Sequence, residues 1–167
     1  VVGDEAGTAI TTGDGNNFFG YGAGALTVTT SYNVGIGDSA LGVNVATGNT
    51  AVGSAALSQT TSGHSNVAMG LEAGRYMQTA DASTFIGYKA GQGISGTRLL
   101  GDNNTAIGLG ALNTSTSGDN NVALGYQALE RLTSGANNTA VGFNAGEDIT
   151  TGTRNTLIGG LASEALT

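Results

Sequence analysis

The sequence predicts an all-β protein, a parallel β-solenoid (β-roll) of about ten coils with about 17 residues in each coil. Three observations lead to this fold. One short motif recurs at a nearly fixed spacing, residues within the motif alternate as they do in a strand, and no stretch has helical periodicity. A period that covers the whole length indicates one unit stacked upon itself, with neighbouring units sharing a core. We therefore expect residues 1–167 to form a single repeat domain.

The motif reads Asn-Thr/Val-Ala-(Ile/Val/Leu/Met)-Gly-x-x-Ala-(Gly/Leu), and we call its central glycine the anchor glycine. Positions are counted from this glycine, so that the residue before it is position −1, and one position taken through successive coils is a rank. The steps between anchor glycines are 17 residues except for one of 16 and one of 21. The anchor glycines are Gly3, Gly20, Gly37, Gly53, Gly70, Gly87, Gly108, Gly125, Gly142 and Gly159.

The residues before the anchor glycine predict a β-strand in every coil. Position −1 is always apolar, position −3 is usually Thr or Val, and position −2 is often Ala. Because alternate residues of a strand share one face, we assign positions −3 and −1 to the core. The small residues at position −2 then form an outer alanine face, which we expect a second copy of the chain to cover.

The rest of each coil predicts turns and a second short strand. Position −4 is Asn in most coils, and we expect these side chains to form a hydrogen-bonded ladder along a corner. Position +3 is Ala in all ten copies, which indicates tight packing. Apolar residues such as Met77 and Leu132 then precede Thr-Ser-Gly turns, and we interpret this segment as the second strand.

The composition excludes several classes of function. The net charge is −7, and charged residues make up only 10% of the chain, so we expect no nucleic-acid binding. The chain has no Cys and a single histidine, His64, which argues against a metal site, a cofactor or an enzyme. It also has no apolar run long enough to span a membrane, so we expect no membrane insertion. Since it begins within a repeat, we expect it to be a segment of a longer fibre chain.

The repeats resemble those of a known group of proteins. The segments NTAIGLGAL (104–112), NVALGYQAL (121–129) and NTAVGFNAG (138–146) are similar to the 17-residue NTAxGxxAL repeats of phage tail-fibre-type proteins. They also resemble the repeats in the head domains of trimeric autotransporter adhesins. The resemblance implies a left-handed β-roll, a homotrimer, and a location on a virion or on a cell surface outside the cell.

Three functions remain open. The first is a rigid segment of a trimeric fibre that positions a receptor-binding tip during host attachment, with other fibre or virion proteins as partners. The second is an adhesin head that itself binds a surface glycan or a protein receptor. The third is ice binding by a rank of Thr residues, which we disfavour because our assignment of the faces points this rank inward.

Two sets of residues are candidates for binding. The step of 21 residues predicts a protruding loop, in which Ile94, Arg98, Leu99 and Leu100 would contact a receptor. Alternatively, the extra residues are a tolerated insertion in a surface loop, or the apolar ones pack in a subunit interface. The second set is an aromatic rank at position +1, which would stack on sugar rings or pack in an interface. Its members are Tyr21, Tyr88, Tyr126 and Phe143.

One rank of acidic residues is a weaker candidate. Asp14, Asp81, Asp102 and Asp119 occupy equivalent positions, with His64 in the same rank. Carboxylates in adjacent coils could share Ca²⁺. Because Asp in a Gly-Asp turn commonly accepts a backbone hydrogen bond, we expect a turn here and no metal site.

Overall fold

The protein is a parallel β-solenoid, seen in a computed structural model that describes residues 1–96 and 101–163. These two ranges contain nine three-residue strands and no helix. The strands hydrogen-bond in chain order as one parallel sheet, and Val2 adds an isolated parallel bridge to Phe19. The strands are β1 (Asn17–Phe19), β2 (Val34–Ile36), β3 (Thr50–Val52), β4 (Val67–Met69), β5 (Thr84–Ile86), β6 (Thr105–Ile107), β7 (Val122–Leu124), β8 (Thr139–Val141) and β9 (Thr156–Ile158).

Every strand pairs with the next one in the register that the repeat predicts. Thr105 lies beside Val122, one period away. The short step keeps the same register, since Val34 pairs with Thr50. The long step does so too, since Thr84 pairs with Thr105. The changes of period are therefore absorbed outside the sheet, and each coil adds its strand to a continuous ladder.

Our assignment of the two strand faces was wrong. Position −2 is the buried one: Phe18, Ala51 and Ala140 are all 0% exposed. Positions −3 and −1 point outward, and Met69 at position −1 is 48% exposed. The alternation of period two was predicted correctly, but its phase was inverted. The alanine face therefore lies inside the roll, and the Thr/Val and apolar ranks form the outer face.

The narrow interior of the roll explains the inversion. Behind the sheet lies the Ala rank at position +3, whose members from Ala23 to Ala145 are 0% exposed, as the recurrence of Ala predicts. A Cβ atom on Gly35 would lie 2.9 Å from the Phe18 ring and 3.3 Å from the Ala40 carbonyl oxygen. Close packing of this kind leaves no room for a full rank of Ile or Leu, so the large apolar residues at position −1 lie outside.

Large and small residues alternate in the core so that the volume of each coil stays similar. Where position −2 is Phe, position +4 is Gly: Cβ atoms on Gly24 and Gly91 would lie 2.5 and 2.1 Å from the rings of Phe18 and Phe85. Where position −2 is Ala or Gly, position +4 is commonly a buried Leu, and examples are Leu41, Leu57, Leu112 and Leu129. Gly74 and Gly146 follow Ala68 and Ala140 instead, and there side chains of the neighbouring coils, such as Leu57 and Leu129, occupy the space. The Gly/Leu choice is therefore matched to the large residues of the same coil or of its neighbours.

The predicted second strand is absent from the described residues. The segment after the anchor glycine consists of successive turns. Positions +2 and +4 have positive φ, as in Gln127 (φ 51°) and Leu129 (φ 51°). At the predicted strand itself, the Leu132 amide donates to the Leu129 carbonyl over 3.1 Å, which is a turn and not an extended ladder. Successive coils nevertheless remain hydrogen-bonded here, since the Leu129 amide donates to the Ala145 carbonyl over 3.0 Å. The apolar residues of this segment are buried as predicted, and examples are Met77 and Leu132.

The predicted Asn ladder is confirmed. The backbone amide and the side-chain Nδ2 of Asn121 both donate to Asn104 Oδ1, over 2.9 and 3.2 Å, and Nδ2 also donates to the Gly135 carbonyl over 2.9 Å. Ser83 continues the ladder in place of Asn, because its Oγ accepts the Asn104 amide over 3.1 Å. Each Asn thus joins its own coil to both neighbours.

Substitution of Asn121 measures the strength of this ladder. Asn121→Ala removes the partners of the Gly135 carbonyl and of the Asn138 amide. We expect a loss of about 2–6 kcal/mol in the free energy of unfolding, since each of the two buried polar groups left unpaired costs about 1–3 kcal/mol. Asn121→Ser is the matched control, because Ser is the natural residue at position 83. Urea unfolding followed by circular dichroism should show a smaller loss for Ser, and equal losses would contradict this role of the side chain.

Candidate functional site

The outer side of the sheet is an uncharged and largely apolar surface, which we call the sheet face. It consists of positions −3 and −1 of β1 to β9, and its side chains are Thr, Val, Ile, Leu, Met, Phe and one Asn. Exposure is substantial, at 46% for Phe19, 39% for Ile107 and 73% for Ile158. Eight strand spacings of about 4.8 Å make the face roughly 38 Å long. Apolar surfaces of this extent commonly mark interaction sites.

The aromatic rank borders the sheet face at position +1, and its four predicted residues are all exposed. Tyr126 and Phe143 stack on each other, with ring centroids 5.3 Å apart and an interplanar angle of 12°. Tyr88 is separated from them by Leu109, and Lys89 Nζ lies 5.2 Å from the centroid of its ring. The rank therefore contains one stacked pair and two single tyrosines, and it widens the apolar surface of the sheet face.

Tyr21 lies at the other end of this rank, in an acidic environment. A hydrogen bond to Glu5 raises the pKa of the Tyr21 hydroxyl, and the negative charges of Glu5, Asp4 and Asp38 act in the same direction. The phenol therefore stays neutral to a higher pH than an isolated tyrosine would.

The predicted loop is only partly within the described residues. Gly93 still donates its amide to the Asn113 carbonyl over 2.9 Å, and the next coil is entered at Gly101. The four residues by which the long step exceeds the period of 17 therefore lie between these two glycines. Ile94 is 40% exposed, although residues at the same position in other coils, such as Met77, are buried. The other predicted loop residues, Arg98, Leu99 and Leu100, lie outside the described residues.

A groove that we did not predict runs along the roll beside the aromatic rank. It has a volume of about 570 Å³ and extends from Glu5 in the first coil to Arg75 in the fifth. Its rims are positions +1 and +6, represented by Tyr21 and Leu26, and its floor is positions +2 and +5. The lining residues are Glu5, Tyr21, Gly22, Ala25, Leu26, Asp38, Ser39, Gly42, Val43, Ser54, Ala55, Ser58, Gln59, Leu71, Glu72 and Arg75.

The groove exists because the floor positions are small in three consecutive coils. Position +2 is Gly22, Ser39 and Ala55, and position +5 is Ala25, Gly42 and Ser58. In three later coils the same two positions hold longer side chains that pair with each other. Gln127 Nε2 donates to Glu130 Oε2 over 2.7 Å, and Arg75 forms an ion pair with Glu72. The sequence contained this signal as a change of residue size within two ranks.

The acidic rank accepts backbone hydrogen bonds, as predicted, but from the preceding coil and not within its own turn. Asp119 Oδ1 accepts the Asp102 amide over 2.9 Å, and Asp102 Oδ1 accepts the Asp81 amide over 2.8 Å. Asp81 Oδ1 accepts the His64 amide in the same way, over 2.6 Å. In the described part of the chain, no group of three or more His, Cys, Asp or Glu side chains is arranged to hold a metal ion.

The fold defines the class of protein as a parallel β-solenoid repeat protein, with one apolar sheet face and one longitudinal groove. Among the described residues, no helix is long and apolar enough to cross a membrane. Comparison with protein-family models, with curated proteins and with solved structures gives no match to this chain. The function must therefore be argued from the two surfaces.

Proposed function

We propose that this chain is a structural segment of a trimeric fibre, a rigid, non-enzymatic rod that carries a receptor-binding tip on a virion or a cell surface. Three left-handed rolls of ten coils would pack around a common axis through their sheet faces. The observation that carries the proposal is the sheet face itself, because it is uncharged, largely apolar and at least partly exposed in all nine strands.

The chemistry of the sheet face suits a contact between identical chains. Positions −3 and −1 of the nine strands contain no Asp, Glu, Lys or Arg, although such residues are present elsewhere on the surface. Depletion of charge is typical of the centre of a permanent interface. Because like residues recur in every coil, two copies aligned in parallel bring equivalent coils together along the whole face. The resemblance of the repeats to those of trimeric fibres and adhesins supports three copies.

The backbone of the roll suits a rigid spacer. Hydrogen bonds join each coil to the next both in the sheet and in the turns, and examples in the turns are Leu57 to Ala73 and Leu129 to Ala145, each over 3.0 Å. The Asn ladder adds side-chain bonds along one corner. Bending the rod would break several of these bonds at once. The roll therefore keeps its two ends at a fixed distance and in a fixed direction from each other.

Charge on the sheet face should disrupt the trimer. Met69→Lys with Ile107→Lys places two ammonium groups of each copy in the proposed interface, where they would be desolvated and would face like charges. The unchanged chain, at 16.3 kDa per copy, should sediment as a species of about three times this mass. The double variant should sediment as a monomer.

The matched control places the same charges elsewhere. Val28→Lys with Val45→Lys also replaces exposed apolar residues, 39% and 53% exposed, outside the sheet face. This control should remain trimeric, and circular dichroism should show that both variants are folded. A stable monomer of the unchanged chain, or equal dissociation of the control, would refute the proposal.

Ice binding is a second candidate that one observation favours. Thr105 and Thr139, at position −3, face outward, which reverses our reason for disfavouring this function. The adjacent rank argues against it, because bulky Phe19 and Met69 interrupt a regular array. Thermal hysteresis measured on the purified chain separates the two functions, since a trimer buries the face that ice would contact.

A further inference from the structure

We propose that the groove over the first five coils is a binding site for a short uncharged oligosaccharide. It is separate from the sheet face, and the proposal goes beyond the role of a spacer. The volume of about 570 Å³ is within the range of small-molecule sites, which is roughly 300–1,000 Å³. The groove runs parallel to the axis of the roll, so an extended chain of sugars would lie across successive coils.

The floor of the groove contains a polar group that nothing in the described structure satisfies. Ser58 is 5% exposed and lines the groove, and its hydroxyl has no hydrogen-bond partner among the described residues. This hydroxyl is reached by solvent from the groove, so it is free to donate to or accept from a ligand. A ligand with its own hydroxyl groups would supply the partner.

The positions that form the floor of the groove are filled by paired side chains in other coils. In the coil of Gly125, the side chains of Gln127 and Glu130 pair across the floor over 2.7 Å. In the next coil Asn144 and Glu147 do the same. Ala55 and Ser58 occupy the corresponding positions in the groove. In these coils the roll fills the space with a polar, hydrogen-bonded pair, so a polar occupant suits the open coils.

The lining offers donors, acceptors and apolar surface in the mixture that sugars require. Tyr21 is 54% exposed on one rim and presents a ring face together with a neutral hydroxyl, while Glu5 and Asp38 beside it accept hydrogen bonds. Gln59 adds an amide. Leu26, 53% exposed on the opposite rim, offers apolar contact.

The near end of the groove is acidic, but at its far end the charges favour a neutral ligand over a cationic peptide. Glu72, at the far end of the groove, is already paired with Arg75 and lies 3.8 Å from Lys89 Nζ, and it accepts a hydrogen bond from Gln92 Nε2 over 2.7 Å. A cationic chain lying along the whole groove would therefore meet Arg75 and Lys89 at this end. A carbohydrate hydroxyl can donate to a carboxylate and accept from a guanidinium without a net charge.

The test blocks the groove with the side chains that fill it in another coil. Ala55→Gln with Ser58→Glu copies the Gln127–Glu130 pair, and the backbone accepts it because Ala55 (φ 55°) and Gln127 (φ 51°) share one conformation. The probes are maltotetraose, cellotetraose and chitotetraose, titrated by calorimetry and by backbone amide shifts. At least one should bind and shift the amides of Gly22, Ser39 and Ser58, and the blocked variant should bind it at least about tenfold more weakly.

The reciprocal variant is the control. Gln127→Ala with Glu130→Ser removes the filled pair from its own coil and should leave binding in the groove unchanged. Absence of binding by all three probes, shifts that map to other residues, or equal binding by the blocked variant would overturn the proposal. Shifts of the same amides by tetralysine alone would assign the groove to a cationic peptide and would overturn it too.

The outcome is distinguishable from that of the fibre proposal. The blocked variant should keep the sedimentation of the unchanged chain, because Ala55 and Ser58 are not on the sheet face. The Met69→Lys, Ile107→Lys variant should still bind the tetrasaccharide, whatever its oligomeric state. Loss of binding in that variant would show that the site requires the assembled sheet faces and would overturn the assignment to the groove of a single roll.

Discussion

Replacement of Gly125 with alanine is expected to lower the free energy of unfolding by at least about 3 kcal/mol, the sum of backbone strain and steric overlap. Gly125 has φ of 137°, which residues with a Cβ atom rarely adopt. In addition, a Cβ atom there would lie 2.2 Å from the carbonyl oxygen of Gly142, the anchor glycine of the next coil. This contact is with backbone, so it cannot be relieved by a side-chain rotation. The two coils would have to separate.

The same contact recurs at every anchor glycine that is followed by another coil, with distances of 2.2–2.7 Å to the next one. The exception is Gly159, which has φ of 125° but has no heavy atom of the described residues within 4 Å of the place that an alanine Cβ would occupy. Gly159→Ala therefore introduces backbone strain without the overlap. It provides a first control for the contribution of the contact between coils.

A second control lies in the middle of the roll. Gly110 has φ of 66°, and Ala55 adopts a similar value (φ 55°) at the equivalent position of another coil. Gly110→Ala should therefore cost at most about 1 kcal/mol. Thermal and urea unfolding of the three variants should rank Gly125→Ala as by far the most destabilised. If Gly125→Ala were no worse than Gly110→Ala, the close stacking of anchor glycines would be disproved.

The second large effect is expected in the core. Phe85→Ala should cost about 3–5 kcal/mol, the usual range for the loss of a buried Phe. Phe85 is 0% exposed and fills the space above Gly74 and Gly91, whose Cβ atoms would lie 2.9 and 2.1 Å from its ring. Removal of the ring leaves a cavity that the neighbouring alanines cannot close.

A second substitution should recover part of this loss. Ala106 and Leu112 occupy the equivalent positions in the next coil, and Leu112 (φ 53°) has the same backbone conformation as Gly91 (φ 54°). Gly91→Leu should be destabilising on its own, because its Cβ atom would overlap the Phe85 ring. Combined with Phe85→Ala, the leucine can enter the space that the ring has left.

A double-mutant cycle measures this compensation. Urea unfolding of the two single variants and the double variant should give a favourable coupling of about 1–3 kcal/mol. The double variant should then be more stable than Phe85→Ala alone. Additive losses would show that the residues at positions −2 and +4 do not share one space, and that the paired choice of Phe with Gly and Ala with Leu has another origin.

Local features of the motif were sufficient to predict the stacking. An Asn at position −4 of nearly every coil can act as donor and acceptor at once, and the ladder through Asn104, Asn121 and Asn138 is present as predicted. The recurring Ala at position +3 predicted a tightly packed rank, which is buried from Ala23 to Ala145. Both predictions depend only on equivalent residues lying above one another.

The candidate surfaces were harder to predict from the sequence. Tyr126 and Phe143 were predicted as exposed aromatics, and they stack on each other at 5.3 Å. The groove was not predicted, because the small residues Ala55 and Ser58 carry no chemical signal of their own. It becomes visible only when the same positions are seen to be filled by Gln127 and Glu130 in another coil.

The sequence by itself determined that the coils stack in parallel. A period of about 17 residues places equivalent residues of successive coils beside each other. Tertiary structure decided which side of the strand is inside. A period of two specifies that Thr105 and Ile107 share a face, but the turns after each strand determine which face they enclose. Here residues with positive φ, such as Gln127 and Leu129, bring the chain back across the alanines. The resulting interior accepts Ala106 and leaves Ile107 exposed, and that choice created the sheet face on which the proposed function depends.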